Sequence, residues 1–93
     1  MQIISDAIRI VLGFLNEVPL SINTVNAYKI RFQGIQSYCE RNSIAVFSHK
    51  EAQAFTEIQE RRRVNGEISE GYFRNLRRSA FLLANCTQNG DFI

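Results

Sequence analysis

The feature that most constrains this chain is the run Val25, Tyr28, Phe32, Ile35 and Cys39, in which apolar residues step by 3, 4, 3 and 4. Asn26, Lys29, Gln33, Gln36 and Glu40 fall on the other side. A strand alternates its faces with a period of 2 and cannot gather these residues on one side, so the segment reads as an amphipathic helix over about 22–41. Three more stripes share the period. Ile4, Ile8, Val11, Leu12 and Leu15 predict a helix over about 3–16, which Val18 and Pro19 must end. Ala52, Phe55 and Ile58 predict one over about 48–63, and Phe73, Leu76, Ala80 and Leu83 one over about 70–86.

Punctuation agrees with these boundaries. Ser21 stands where a hydroxyl caps the second helix, with Leu20 placed to staple against Val25. Ser48 and Glu51 have the spacing at which hydroxyl and carboxylate each take an orphan backbone N–H of the third helix. Asn65-Gly66 reads as a left-handed helix end rather than a hairpin, because no alternating strands flank it. Ser69 caps the fourth helix, with Ile68 placed to staple on Phe73, and Asn89-Gly90 lies just past its end. At 93 residues there is room for one core, so residues 1–93 are expected to form a single all-α domain, a four-helix bundle.

Catalytic chemistry finds little support. The only histidine, His49, lies in the first turn of the third helix and reads as an exposed structural residue. Glu57 and Glu60 read as a solvated face that pairs with Arg61, Arg62 and Arg63 one turn on, not as metal ligands. Glycine-rich phosphate cradles are absent, and no cofactor is implied. Cys39 and Cys86 are too few for a disulfide scaffold and lack zinc-ligand spacing, so both are expected reduced and packed. Tyr28, Phe32 and Tyr38 read as core rather than as a stacking platform. The apolar stretch Ile10 to Leu15 is far short of the roughly 20 residues of a membrane span and lacks the flanks of a signal peptide, so a cytoplasmic protein is expected, with no membrane partner.

The net charge of +2 conceals an uneven distribution. Between Val18 and Cys39 the only charges are Lys29 and Arg31, and between Gly71 and Gly90 they are Arg74, Arg77 and Arg78. Neither segment contains an acid. If the second and fourth helices lie side by side, the pattern is that of one basic face. A surface stripe that serves solubility would look the same on charge alone.

The stretch Leu20-Ser-Ile-Asn-Thr-Val-Asn-Ala-Tyr28 resembles the opening of the core-binding domain of tyrosine recombinases of the phage-integrase family. The family signature there, Ser-x-x-Thr-x-x-x-Tyr, is matched by Ser21, Thr24 and Tyr28. The run from Asn65 to Ala80, followed by Asn89-Gly90, is similar to the family's last core-binding helix and the turn after it. The resemblance implies a SAM-like four-helix domain that forms half of a clamp around the recombination site. Its implied partners are double-stranded DNA, the C-terminal catalytic domain of a parent integrase and other integrase protomers. The family's catalytic Arg, Lys, His-x-x-Arg and Tyr belong to that other domain, and His49 has Ala52 three residues on, so this chain is expected to bind DNA without cutting it.

In that reading Lys29, Arg31, Arg74, Arg77 and Arg78 neutralise phosphates, Asn26, Gln33 and Asn75 reach base edges, and Ser21 and Thr24 aim helix N–H groups at a phosphate. The rival readings are a helical protein-interaction module, which would expose a large apolar patch, and a helix-turn-helix repressor, which needs a shorter turn.

Overall fold

The computed structural model describes residues 3–89. It contains four helices: α1 (Ile4–Glu17), α2 (Ile22–Arg41), α3 (His49–Val64) and α4 (Glu70–Asn89), with no strand among the described residues. The all-α four-helix bundle expected from the apolar stripes is what forms, and the predicted boundaries hold within a few residues. Gly90 of the expected final turn lies outside the described residues.

The stripes converge on one core. Val11, Phe32, Ile35, Cys39, Ala80 and Leu83 are fully buried, and α4 packs against each of the other three helices. Burial of an aliphatic or aromatic side chain of this size contributes about 1.5–3 kcal/mol, so a few such residues outweigh the weak helix propensity of the β-branched positions. α1 also packs on α2, but among the described residues no Cα of α2 comes within 8 Å of one of α3. That gap leaves a groove over α4.

Two helix ends are closed by the same device. At the end of α3 the Glu67 N–H reaches the Arg62 carbonyl at 2.8 Å and the Gly66 N–H the Arg63 carbonyl at 3.0 Å, with Gly66 at φ +78°. This is a Schellman ending, as Asn65-Gly66 suggested. At the end of α2 the Ile44 N–H reaches the Cys39 carbonyl at 2.8 Å and the Ser43 N–H the Glu40 carbonyl at 3.4 Å, but the left-handed position, φ 56°, is held by Ser43. The ending turns Ile44 onto the core, brings the Ala45 carbonyl to the Ile4 N–H at 2.9 Å and leaves Phe47 fully buried. A connecting loop thus starts α1 and supplies a core residue.

The caps follow the sequence with one correction. Ser21 Oγ accepts the Thr24 N–H at 3.2 Å and Ser69 Oγ the Tyr72 N–H at 3.1 Å. Ser48 does not cap α3 with its hydroxyl, which donates to Glu51 Oε1 at 2.8 Å. The His49 N–H is taken instead by Gln88 Oε1 at 3.0 Å, because α4 brings that carboxamide alongside the start of α3. The Phe73 ring faces the Arg63 guanidinium, 5.3 Å from the ring centroid.

Candidate nucleic-acid interface

The condition set by the charge pattern is that α2 and α4 be neighbours, and they are. Arg31 Nε donates to Ser79 Oγ at 2.8 Å, which joins the middle of α2 to the middle of α4. Arg74, Arg77 and Arg78 are all exposed, with Arg74 and Arg78 one turn apart on the same side of α4. Arg77 stacks over the Phe81 ring at 5.7 Å from its centroid, and Asn75 is exposed beside them.

The α2 cations behave differently from the expectation of a single continuous face. Residues two apart on a helix point away from one another, and Lys29 and Arg31 are two apart. Lys29 is exposed and lines a depression between α1 and α2 with Leu15, Asn16 and Asn26. Arg31 is half-buried, its guanidinium 4.6 Å from the centroid of the Tyr28 ring and its Nε committed to Ser79. The five cations therefore divide into an exposed α4 group, a bridging Arg31 and an outlying Lys29. Gln33 is exposed on the same side of α2 as Lys29.

Ser21 and Thr24 are exposed at the head of α2, their hydroxyl oxygens 2.9 Å apart. The Thr24 amide is consumed by Ser21, so this terminus has one fewer N–H to offer an anion than the sequence suggested. Tyr28 packs against the core and lies 5.8 Å from Phe32 between ring centroids, and Tyr38 meets Phe55 edge-on at 5.1 Å. These aromatic residues serve the core, as their spacing indicated.

The remaining candidates for chemistry are engaged by neighbouring side chains or buried. His49 hydrogen-bonds Asn85 and stacks on Phe81, 6.3 Å between centroids. Burial, reinforced by the carboxylates of Glu51 and Glu40, pushes the Cys39 thiol up to about 11, so it is no nucleophile at neutral pH. Tyr38 is raised in the same direction, chiefly by burial and then by Cys39 and Glu51. Glu60 pairs with Arg63 at 3.4 Å, but Arg62 turns to Gln59 Oε1 at 2.8 Å and toward Glu67 at 3.9 Å instead of to Glu57. No group of three metal-ligating side chains occurs among the described residues, and no helix there is long and apolar enough to cross a membrane.

Sequence reading missed the groove over α4. It measures about 420 Å³, with Arg31 and Arg41 on its α2 wall, Arg62 on its α3 wall and Leu76 beneath. Arg31, Gly34 and Arg41 fall on one side of α2, but the matching wall comes from α3 and only the fold reveals it. Compared with models of protein families, with curated proteins and with solved structures, the chain matches none.

Proposed function

We propose that this chain is a DNA-binding module, the core-binding half of a phage-type integrase clamp, which grips duplex DNA and does not cut it. The observation that carries the reading is the Arg31–Ser79 hydrogen bond, because it sets α2 beside α4, whose outward side carries Arg74, Arg77 and Arg78, with Glu70 one turn before Arg74 and no acid within a turn of Arg77 or Arg78. Such a surface neutralises phosphates and releases their counterions, and Asn75 beside it has the amide group that reads a base edge. The resemblance in Ser21, Thr24 and Tyr28 supports the same reading: the serine caps α2, the threonine hydroxyl bonds to it, and the tyrosine ring backs Arg31. A clamp works with two halves, so the partners are duplex DNA, a catalytic domain and further protomers on the recombination site.

One half of a clamp binds weakly and with little sequence preference, on the scale of about 10⁻⁴ to 10⁻⁶ M at physiological salt. Titration of a duplex oligonucleotide into isotopically labelled protein tests this. The amide signals of α4 and of the Arg31 region should move together. A titration that leaves them still at millimolar protein, or any strand cleavage, overturns the reading.

A further inference from the structure

The groove between α2 and α3 is separate from the exposed arginines of α4. Its α2 wall is low in the middle, because a Cβ built on Gly34 would meet no atom within 4 Å. Tyr38 and Phe55 close it at one point, their rings 5.1 Å apart. Ile30 and Tyr72 also line it, and they are 66% and 47% exposed although both are large and apolar or aromatic. Three guanidiniums line it, and none of the lining residues is acidic. Arg31 is engaged by Ser79, and Arg62 by Gln59 and more distantly by Glu67, whereas Arg41 is exposed at the rim.

We propose that this groove docks an acidic amphipathic helix of a protein partner, its apolar side over Gly34 and its carboxylates on Arg41 and Arg62. Both properties of the groove are needed for that occupant. Arginine with exposed aromatic and aliphatic side chains is the composition of a protein interface, and about 420 Å³ admits one or two large side chains. Duplex DNA shares the charge preference, but its convex polyanionic surface offers less apolar area to cover Ile30 and Tyr72 than the apolar side of a helix does. Arg41 and Arg62 stand on opposite walls, which suits a helix with glutamates flanking an apolar stripe and bidentate carboxylate contacts at both edges.

The test uses a blocked synthetic helix of about 14 residues, four turns long, with leucine and phenylalanine on one side and glutamates flanking them. Its binding to the full chain is followed by calorimetry. The proposal expects saturable binding that weakens about tenfold or more in Gly34→Met, which fills the groove without changing charge, and likewise in the double variant Arg41→Glu/Arg62→Glu. Arg74→Gln/Arg78→Gln should leave the peptide's affinity unchanged, which separates this result from the fate of the DNA reading. Circular dichroism establishes that each variant is folded. Four results overturn the proposal: equal binding of a peptide with glutamine in place of glutamate, loss on charge reversal with no effect of Gly34→Met, duplex DNA as the ligand that Gly34→Met weakens, or self-association of the chain abolished by Gly34→Met.

Discussion

Arg31 and Ser79 are 48 residues apart in sequence and joined by a hydrogen bond of 2.8 Å from the arginine Nε to the serine Oγ. The same hydroxyl donates to the Asn75 carbonyl at 2.9 Å, one turn back along α4. Ser79 can therefore be fully buried without an unsatisfied atom. Ser79→Ala should lower stability by about 1 kcal/mol in urea unfolding, and Arg31→Ala should then cost less in the Ser79→Ala background than alone. Strict additivity in that double-mutant cycle would mean that the bond does not join the two helices in solution.

Ser43 and Gly66 occupy the same position in two Schellman endings, with φ 56° and +78°. Glycine adopts that conformation freely and other residues do not. Ser43→Gly should raise stability by several tenths to about 1 kcal/mol, and Gly66→Ala should lower it by about 1 kcal/mol. Gly34→Ala, in the middle of α2 with open space where the methyl would go, should be stabilising by about 0.5–1 kcal/mol. Thermal unfolding of the three variants checks the order.

The helices were legible because each helix contributes its apolar face at a fixed period, and Phe32 and Leu76 sit within those stripes and are buried. Phe47 was not legible. It lies outside any helix and is buried only because the ending at Ser43 throws the chain back over the core. Ser79 carries no local signal of burial, because the partner that satisfies it, Arg31, arrives from another helix. The separation of Lys29 from Arg31 was present in their spacing, but summing charge over a segment discards direction. The groove depends on α2 and α3 standing apart over α4, a relation between distant segments with no local signature.

The core makes a graded prediction. Phe32 and Phe47 are fully buried and Leu76 nearly so, whereas Gln33 is exposed. Phe32→Ala and Phe47→Ala should each cost about 3–5 kcal/mol, Leu76→Ala about 2–5 kcal/mol, and Gln33→Ala within about 0.5 kcal/mol. A Phe47 variant as stable as the Gln33 variant would remove the loop from the core.

The Cys39 thiol is raised from 9.0 to about 11 in the folded chain, mainly by burial and then by Glu51 and Glu40. Between those values the unfolded chain has lost the proton and the folded chain keeps it, so the unfolded state binds fewer protons and stability falls as pH rises. Its contribution is intact below pH 9 and gone above about 11. Cys39→Ala should flatten the decline of unfolding free energy over that window, whatever it does to stability at neutral pH. An unchanged slope would place the alkaline loss elsewhere.

Salt dependence discriminates a phosphate-binding surface from a stripe that only aids solubility. Each phosphate neutralised on duplex DNA contributes about −0.9 to the slope of log K against log salt. Arg74, Arg77 and Arg78 are exposed on α4, with Lys29 and Arg31 to either side of α2, so slopes from about −2 to −5 are expected. Arg74→Gln/Arg78→Gln should flatten the slope by about 2 and weaken binding uniformly across sequences, with the fold intact because neither side chain enters the core. Arg9→Gln/Arg61→Gln is the matched control: it removes the same charge from α1, where Arg9 pairs with Asp6 at 2.9 Å, and from α3, where Arg61 lies beside Glu57 and Glu60. A specific interface leaves the control's slope close to that of the parent chain. If both pairs flatten it equally, binding follows net charge, and α4 is not the surface that meets DNA.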